Sequence, residues 1–341
     1  MKIRKKLIIP LLLLLTMLFV SACGKSTADN QQNSDKQQNS ETYTLKVHMV
    51  INEQDPVYLG YTEFKKGVEA RTNGKVKVEL YPNGVLGNDE DLLQQAMLGG
   101  NVAVNSDAGR LGVWVPEIGI LLAPYLTDSV EEMQKLVKSD LVKKWTDKLA
   151  QEKGLTVLSF NYYTGARHFI TKKPISKPED LNGLKIRTPG SPVWQETIKA
   201  IGASPVALPW TETYPALEQG VIDGAEAQDP ATYGAKLYEV AKYITKTGHI
   251  QLWNCLVVGT KWFEQLPKEY QQILIEESVK AGDFTTNKLI SNLEELEDQM
   301  TAAGAVINEV DIKPFKDKTE TVYSKLNYQD LRQEVNKVLG K

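Results

Sequence analysis

Two cysteines and three histidines are all that the 341 residues contain. Cys23 and Cys255 cannot form a Cys-x-x-Cys motif, and His48, His168 and His249 show no metal-ligand spacing. The chain also lacks a Gly-x-Ser-x-Gly nucleophile turn, a Gly-x-Gly-x-x-Gly dinucleotide loop, a phosphate-binding Gly-rich loop ending in Gly-Lys and an EF-hand loop. The expectation is a non-enzyme with no metal and no cofactor. His168, next to Arg167, is read as structural. Basic residues do not outnumber acidic ones. Residues 1–22 carry four of the 40 Lys and Arg and none of the 43 Asp and Glu, so without them the formal net charge falls from −3 to −7. An acidic body argues against a nucleic-acid partner.

The one long apolar run lies at the start. Lys2, Arg4, Lys5 and Lys6 precede the stretch Leu7 to Val20, and small residues lead directly into Cys23. A basic segment, a short apolar core and a small-residue cut site make a secretory signal, too short for a permanent membrane span. The run "VSAC" resembles a bacterial lipobox, which implies a lipid on Cys23 and an extracytoplasmic, membrane-anchored protein. "GKSTADNQQNSDKQQNSET", Gly24 to Thr42, has no large apolar residue and is expected to be a flexible tether. With Cys23 lipidated, Cys255 is the remaining thiol, and its setting "LWNCLVVG" makes it a small core residue.

About 300 residues follow, enough for two lobes. "TLKVHMV", "KVKVELYP" and "VAVNS" read as strands separated by the helical patterns "VYLGYTEFKKGVEART" and "NDEDLLQQAMLGG". This βαβαβ order implies a parallel sheet in an α/β fold, with ligands beyond the carboxyl ends of the strands. A second series follows "TVLSF", with "ARHFIT", "LKIR" and "ASPVAL" as strands and "PVWQETIKAIG" and "TETYPALEQG" as helices. "LWNCLVVG" is strand-like again and hints at a return to the first sheet. From Pro267 to Ala303 the run is rich in helix formers and free of internal proline. It is either one helix about 45 Å long, at ~1.5 Å per residue, or two helices bent near Gly282.

In "LKIRTPGSP", Leu184 and Ile186 alternate with Lys185 and Arg187, the period of a strand with one buried face. Pro189, Gly190 and Pro192 then stop the strand. Arg187 therefore stands at a strand's carboxyl end, where ligands of such folds gather.

Several blocks in order carry a family likeness over nearly all of residues 43–341. "ELYPNGVLGNDEDLLQQAMLGG", "ARHFIT", "LNGLKIRTPGSP", "IGASPVALPWTETYPALEQGVIDGAEA" and "LYEVAKYITKTGH" resemble the solute-binding proteins of tripartite ATP-independent periplasmic (TRAP) transporters, of the DctP type. The resemblance implies a two-lobed α/β fold of periplasmic-binding-protein type, with a cleft between the lobes and a long helix spanning both. The expected divisions are a signal peptide at 1–22, a tether at 23–42, lobe I at 43–164 plus 253–292, and lobe II at 165–252 plus 293–341. The family's function would be capture of a small organic acid and its delivery to TRAP membrane permease subunits for ion-gradient-driven uptake. A lipid-anchored receptor feeding a signalling partner, or an enzyme on the same scaffold, stay open at this level.

By the same resemblance Arg187 is the carboxylate anchor and Arg167 a second basic position. Asp89, Asp107 and Arg110 align with polar pocket residues of sialic-acid-binding members, or form a structural ion network. Trp210 falls where an aromatic lines the cleft, with Tyr233 a weaker candidate. After "DG-x-E", where many members have asparagine, stands Ala227, and Gln228 is the candidate to replace the missing amide.

Overall fold

The computed structural model describes residues 42–341. The expected signal segment, Cys23 and the tether up to residue 41 lie outside the described residues. Among the described residues, no helix is long and apolar enough to cross a membrane.

Nine strands form one continuous mixed sheet. They are β1 (Tyr43–His48), β2 (Val76–Tyr81), β3 (Val102–Asp107), β4 (Leu155–Thr171), β5 (Lys185–Thr188), β6 (Ser204–Ala207), β7 (Gly224–Gln228), β8 (Tyr243–Gly259) and β9 (Val306–Glu309). Their order is β2-β1-β3-β8-β4-β7-β5-β6, with β9 beside β8. The first three strands are parallel, as the βαβαβ pattern requires. In β3 all six residues are buried, because helices cover both of its faces. In the second lobe β5 runs parallel to both β6 and β7.

Two 17-residue strands, β4 and β8, join the halves. "ARHFIT", expected as a strand of its own, is the second end of β4, whose first end is "TVLSF". Leu155 to Tyr163 pair with the end of β8 beside β3, while Arg167 to Thr171 pair with β7. Four register shifts let one strand serve both lobes, since each extra residue bends and twists the ladder. Gly165, at φ +113°, sits at one shift with its Cα facing Gln228. "LWNCLVVG" does return to the first sheet: Ala103 to Asp107 pair with Asn254 to Val258.

The run after Pro267 is a single helix, Lys268–Ala302, of 35 residues, or about 52 Å at ~1.5 Å per residue. It runs unbroken through Gly282. That glycine instead permits close approach, since a Cβ there would overlap the Asn161 amide on β4. The helix is bonded along β4 by Ser159 Oγ to Ser278 Oγ (2.7 Å), by the Tyr162 hydroxyl donating to Ser278 O (2.9 Å) and by Asn161 Nδ2 donating to Val279 O (2.8 Å). Near its carboxyl end Lys246 donates to both Glu297 (2.6 Å) and Asp229 (2.8 Å), tying in the second lobe. The helix Lys313–Lys325 places Phe315 among Phe169 and Ile198, whereas Gln329–Leu339 places Val335 in the cluster of Met133 and Leu136. Cys255 is fully buried in the core, where burial pushes its thiol pKa well up.

Candidate functional site

Charged side chains converge on an inner cavity of about 60 Å³, walled by Asp89, Asn105, Asp107, Arg110 and Asn254 on one side and by Arg167, Arg187, Trp210 and Gln228 on the other. Arg187 enters it for the reason visible in its strand. Ile186 is turned into the apolar cluster around Phe169, so its neighbour points to the opposite face. Arg187 is 2 % exposed. Its Nε and Nη2 donate to Leu208 O at 3.0 and 2.8 Å, and its guanidinium lies over the Trp210 ring at 5.2 Å. Among the described residues no carboxylate forms an ion pair with it, and Nη1 makes no hydrogen bond. Burial, followed by the positive charge of Arg167, lowers its pKa to about 9, and Glu226 and Asp89 offset only part of that. A buried cation held this way is an electrostatic deficit that an anion relieves.

Arg167 is different, because its charge is already matched. Nε pairs with Glu226 Oε2, Nη2 donates to Glu226 O and Nη1 donates to Gln228 Oε1 (2.9 Å). Burial works to raise the pKa of Glu226, yet Arg167 and His249 hold it down to about 2. The strand period decides what Ala227 means. Glu226 and Gln228 share the face of β7 that meets Arg167, while Ala225 and Ala227 point into the apolar cluster of Ile170 and Leu217. Alanine at 227 is thus a core residue of this chain, and the amide facing the cavity is Gln228. Its Nε2 makes no hydrogen bond among the described residues.

Lobe I supplies an ion network. Arg110 bonds Asp89 (3.1 Å), Glu90 (2.9 Å) and Asp107, and His48 Nε2 lies 3.2 Å from Asp89 Oδ1. Burial of Asp89 works to raise its pKa, but Arg110 and His48 bring it below the usual carboxylate range. The three acidic neighbours keep Arg110 above the ordinary arginine range against its own desolvation. Asp107 also caps the turn Ala108–Leu111 by accepting from Arg110 N (3.0 Å), and its Oδ1 accepts from Trp194 Nε1 at 3.3 Å. Asp89, Asp107 and Arg110 therefore line the cavity and form the ion network at once.

Trp194, Asn105 and Asn254 are site residues that the sequence reading missed. Trp194 comes from the helix Pro192–Ile201, and Arg167 stacks over its ring at 4.6 Å. It thereby links Arg167 to Asp107. The one sequence signal was its place three residues after the Pro-Gly-Ser turn. Tyr233 does not join the group: it stacks on Tyr238 at 6.2 Å, against the apolar cluster under β7. His168 is structural in its bonding, with Nδ1 accepting from Gly248 N at 3.1 Å and burial driving its pKa well down. A wider groove of about 440 Å³ shares Arg110 with the inner cavity and is lined by Leu93, Val113, Trp114, Leu208 and Pro209 together with Asn88, Glu90, Asp91 and Gln94. It is not where the charges converge.

The sequence profile of bacterial extracellular solute-binding protein family 7, DctP, matches residues 47–330. A TRAP periplasmic solute-binding protein of Escherichia fergusonii, crystallised in an apo open form, is 43% identical over 87% of this chain and all of that one, with a TM-score of 0.76. One from Ochrobacterium anthropi with bound L-fuconate is 35% identical over 87% of this chain and 99% of that one, yet has a TM-score of 0.85. The less identical, ligand-bound structure superposes better. The sialic acid-binding periplasmic protein SiaP of Vibrio cholerae is 27% identical over 83% of this chain and 88% of its own length. From the two-lobed sheet, the buried arginine of "LKIR" and a profile match that spans both, the chain belongs to the DctP family of extracellular solute-binding proteins.

Proposed function

We propose that the protein is the extracytoplasmic receptor of a TRAP transporter. It captures a small organic acid between its lobes and hands it to the membrane permease subunits, whose uptake is driven by an ion gradient. The observation that carries this reading is Arg187, a buried guanidinium with, among the described residues, no carboxylate partner and no hydrogen bond at Nη1, in an inter-lobe cavity. In relatives, L-fuconate and sialic acid, named above, are both acids. Arg187 takes the carboxylate, Gln228 Nε2 adds a donor and Trp210 covers the guanidinium. Arg167 braces the site from below through Glu226. Across the cleft, Asp89, Asp107 and Arg110 form the opposing polar wall. Closure follows from contact with both walls, since a ligand shifts the lobes only by what it gains in the closed form.

The lipid anchor on Cys23 belongs to the same proposal and holds the receptor at the membrane surface. We assign residues 43–164 and 253–292 to lobe I and residues 165–252 and 293–325 to lobe II, with the last helix returning to lobe I. No relative named above carries a signalling role, so the permease reading is preferred. A thermal-shift screen of organic acids against the full-length protein tests it. At 100 times Kd, a ligand stabilises the folded state by about 2.7 kcal/mol, and the bound acid should be recovered unchanged by mass spectrometry. Stabilisation by amines or neutral solutes alone would overturn the reading.

A further inference from the structure

Asp55 is the acidic counterpart of Arg187, a buried charge without an opposite one. It is 6 % exposed and forms no ion pair among the described residues. One carboxylate oxygen caps the helix Pro56–Arg71 by accepting from Val57 N at 2.8 Å. The other has no hydrogen-bond partner among the described residues. A cap needs no charge, since Asn or Ser accepts the same bond. The helix end in turn offers only a partial positive charge. Burial pushes the Asp55 pKa up to about 6 and the bond from Val57 recovers only part of that, so the group is still ionised at neutral pH.

Asp55 lines a second small cavity of about 60 Å³, room for an ion and a few waters. Asn52 and Asn83 line it from the first lobe, and Trp210, Pro230 and Gly234 from the second. It shares only Ile51, Trp210 and Ala231 with the acid cavity, so an apolar wall separates Asp55 from the arginines there. No Lys, Arg or His lines it. Asn52 Nδ2 donates to Gly234 O at 2.9 Å while Asn52 Oδ1 accepts from Gln54 N at 3.0 Å, which fixes this amide across the lobe boundary. The glycine permits that approach, because a Cβ on it would lie 2.7 Å from Asn52 Nδ2. The Asn83 side chain makes no hydrogen bond among the described residues.

The sign of the missing partner follows. Water in the cavity can bond Asp55 but cannot neutralise it, and an anion is repelled. The polar walls offer a carboxylate, two amide oxygens and the carbonyl of Gly234, the ligand type that hard cations take. The His and Cys spacing that excludes a zinc-type site has no bearing on such an ion. One carboxylate matches one positive charge, and among the described residues no group of three His, Cys, Asp or Glu is placed to hold a metal ion of higher charge. We propose that this cavity binds a monovalent metal cation, sodium or potassium, held by Asp55 with Asn52 and Asn83, and that the ion joins the two lobes at a site separate from the acid cavity.

Thermal unfolding of the full-length protein in the chlorides of choline, sodium, potassium and methylammonium, at equal ionic strength, tests it. Sodium or potassium should raise the melting temperature by about 2–4 °C over choline, and the rise should saturate. Asp55→Asn keeps the helix cap and removes the charge. It should melt above the wild type in choline and lose at least three quarters of the rise. Gly234→Ala drives a methyl group against Asn52 and should increase the half-saturating concentration fivefold or more. Each melting curve also shows whether the variant folds. Equal melting in sodium, potassium and choline, or an undiminished rise in Asp55→Asn, would overturn the site. A rise with methylammonium alone would overturn the metal ion, and an unchanged half-saturation in Gly234→Ala would overturn the bridge between lobes. These outcomes do not depend on an acid at Arg187, so the site and the receptor reading stand or fall separately.

Discussion

Replacing Arg187 by methionine should abolish ligand binding and at the same time stabilise the empty protein. Burial and Arg167 lower the Arg187 pKa from the ordinary arginine range to about 9, which at ~1.4 kcal/mol per pH unit is roughly 5 kcal/mol against its charge. Set against this are the two bonds to Leu208 O, which share one acceptor and count as a single charged hydrogen bond of about 2–3 kcal/mol, and the stack on Trp210, about 1 kcal/mol. Methionine keeps most of the stem volume, so the cavity cost is small. The net expectation is a gain of about 1–2 kcal/mol, or a melting temperature a few degrees higher at ~2–4 °C per kcal/mol. The pH dependence follows from the sign of the shift. Between about pH 9 and the ordinary arginine value the unfolded chain binds the extra proton, so the penalty is fully present at pH 7 and fades only at strongly alkaline pH. Differential scanning calorimetry of both forms at pH 7, with and without the best acid, reads the two effects separately. An Arg187→Met protein that melts well below the wild type when empty would refute the reasoning, because Arg187 would then be holding the fold rather than waiting for an anion.

Gly109→Ala should part the lobes, since its Cβ would lie 2.6 Å from Trp194 Nε1 and 2.9 Å from Cδ1. We expect roughly tenfold weaker ligand binding with a red-shifted tryptophan emission, and unchanged affinity would show that the Trp194 contact to lobe I is dispensable. His168 and His249 are both buried with lowered pKa values, so below about pH 6.5 the unfolded chain takes up protons that the folded chain refuses. Urea unfolding should therefore lose roughly 2–4 kcal/mol between pH 7 and pH 5, and His168→Gln should flatten that slope, whereas a slope already flat in the wild type would contradict the burial argument. Gly282→Ala improves helix propensity but drives a methyl group into Asn161. Thermal unfolding should show a loss of about 1–3 kcal/mol, and a more stable variant would mean that the long helix can move off β4.

How much of this was legible in the chain depended on whether the signal was local. Strand alternation in "LKIR" and the Pro-Gly-Ser-Pro stop placed Arg187 at a strand end facing away from Ile186, and the structure puts it in the cavity on that face. The long helix was equally plain from composition. What was misread lay where two elements had to meet. Gly282 looked like a bend because its partner, Asn161, is more than a hundred residues away and leaves no mark beside it. Ala227 looked like a lost ligand group because its orientation depends on β7 being wedged between β4 and β5. Only the "ARHFIT" end of β4 was read as strand, because its turn-like centre is tolerable only where β8 and the long helix satisfy its backbone.

By itself the sequence determined the local periods, the stops between them, the family blocks and the place of Arg187 at a strand end, since each is written within a dozen neighbouring positions. Only the tertiary structure decided that among the described residues Arg187 has no carboxylate partner while Arg167 has one, and that Asn105 and Asn254, 149 residues apart, are joined by a hydrogen bond. Those outcomes depend on burial and on pairing across strands and lobes. Neither quantity belongs to a stretch of chain until the rest of the molecule has closed around it.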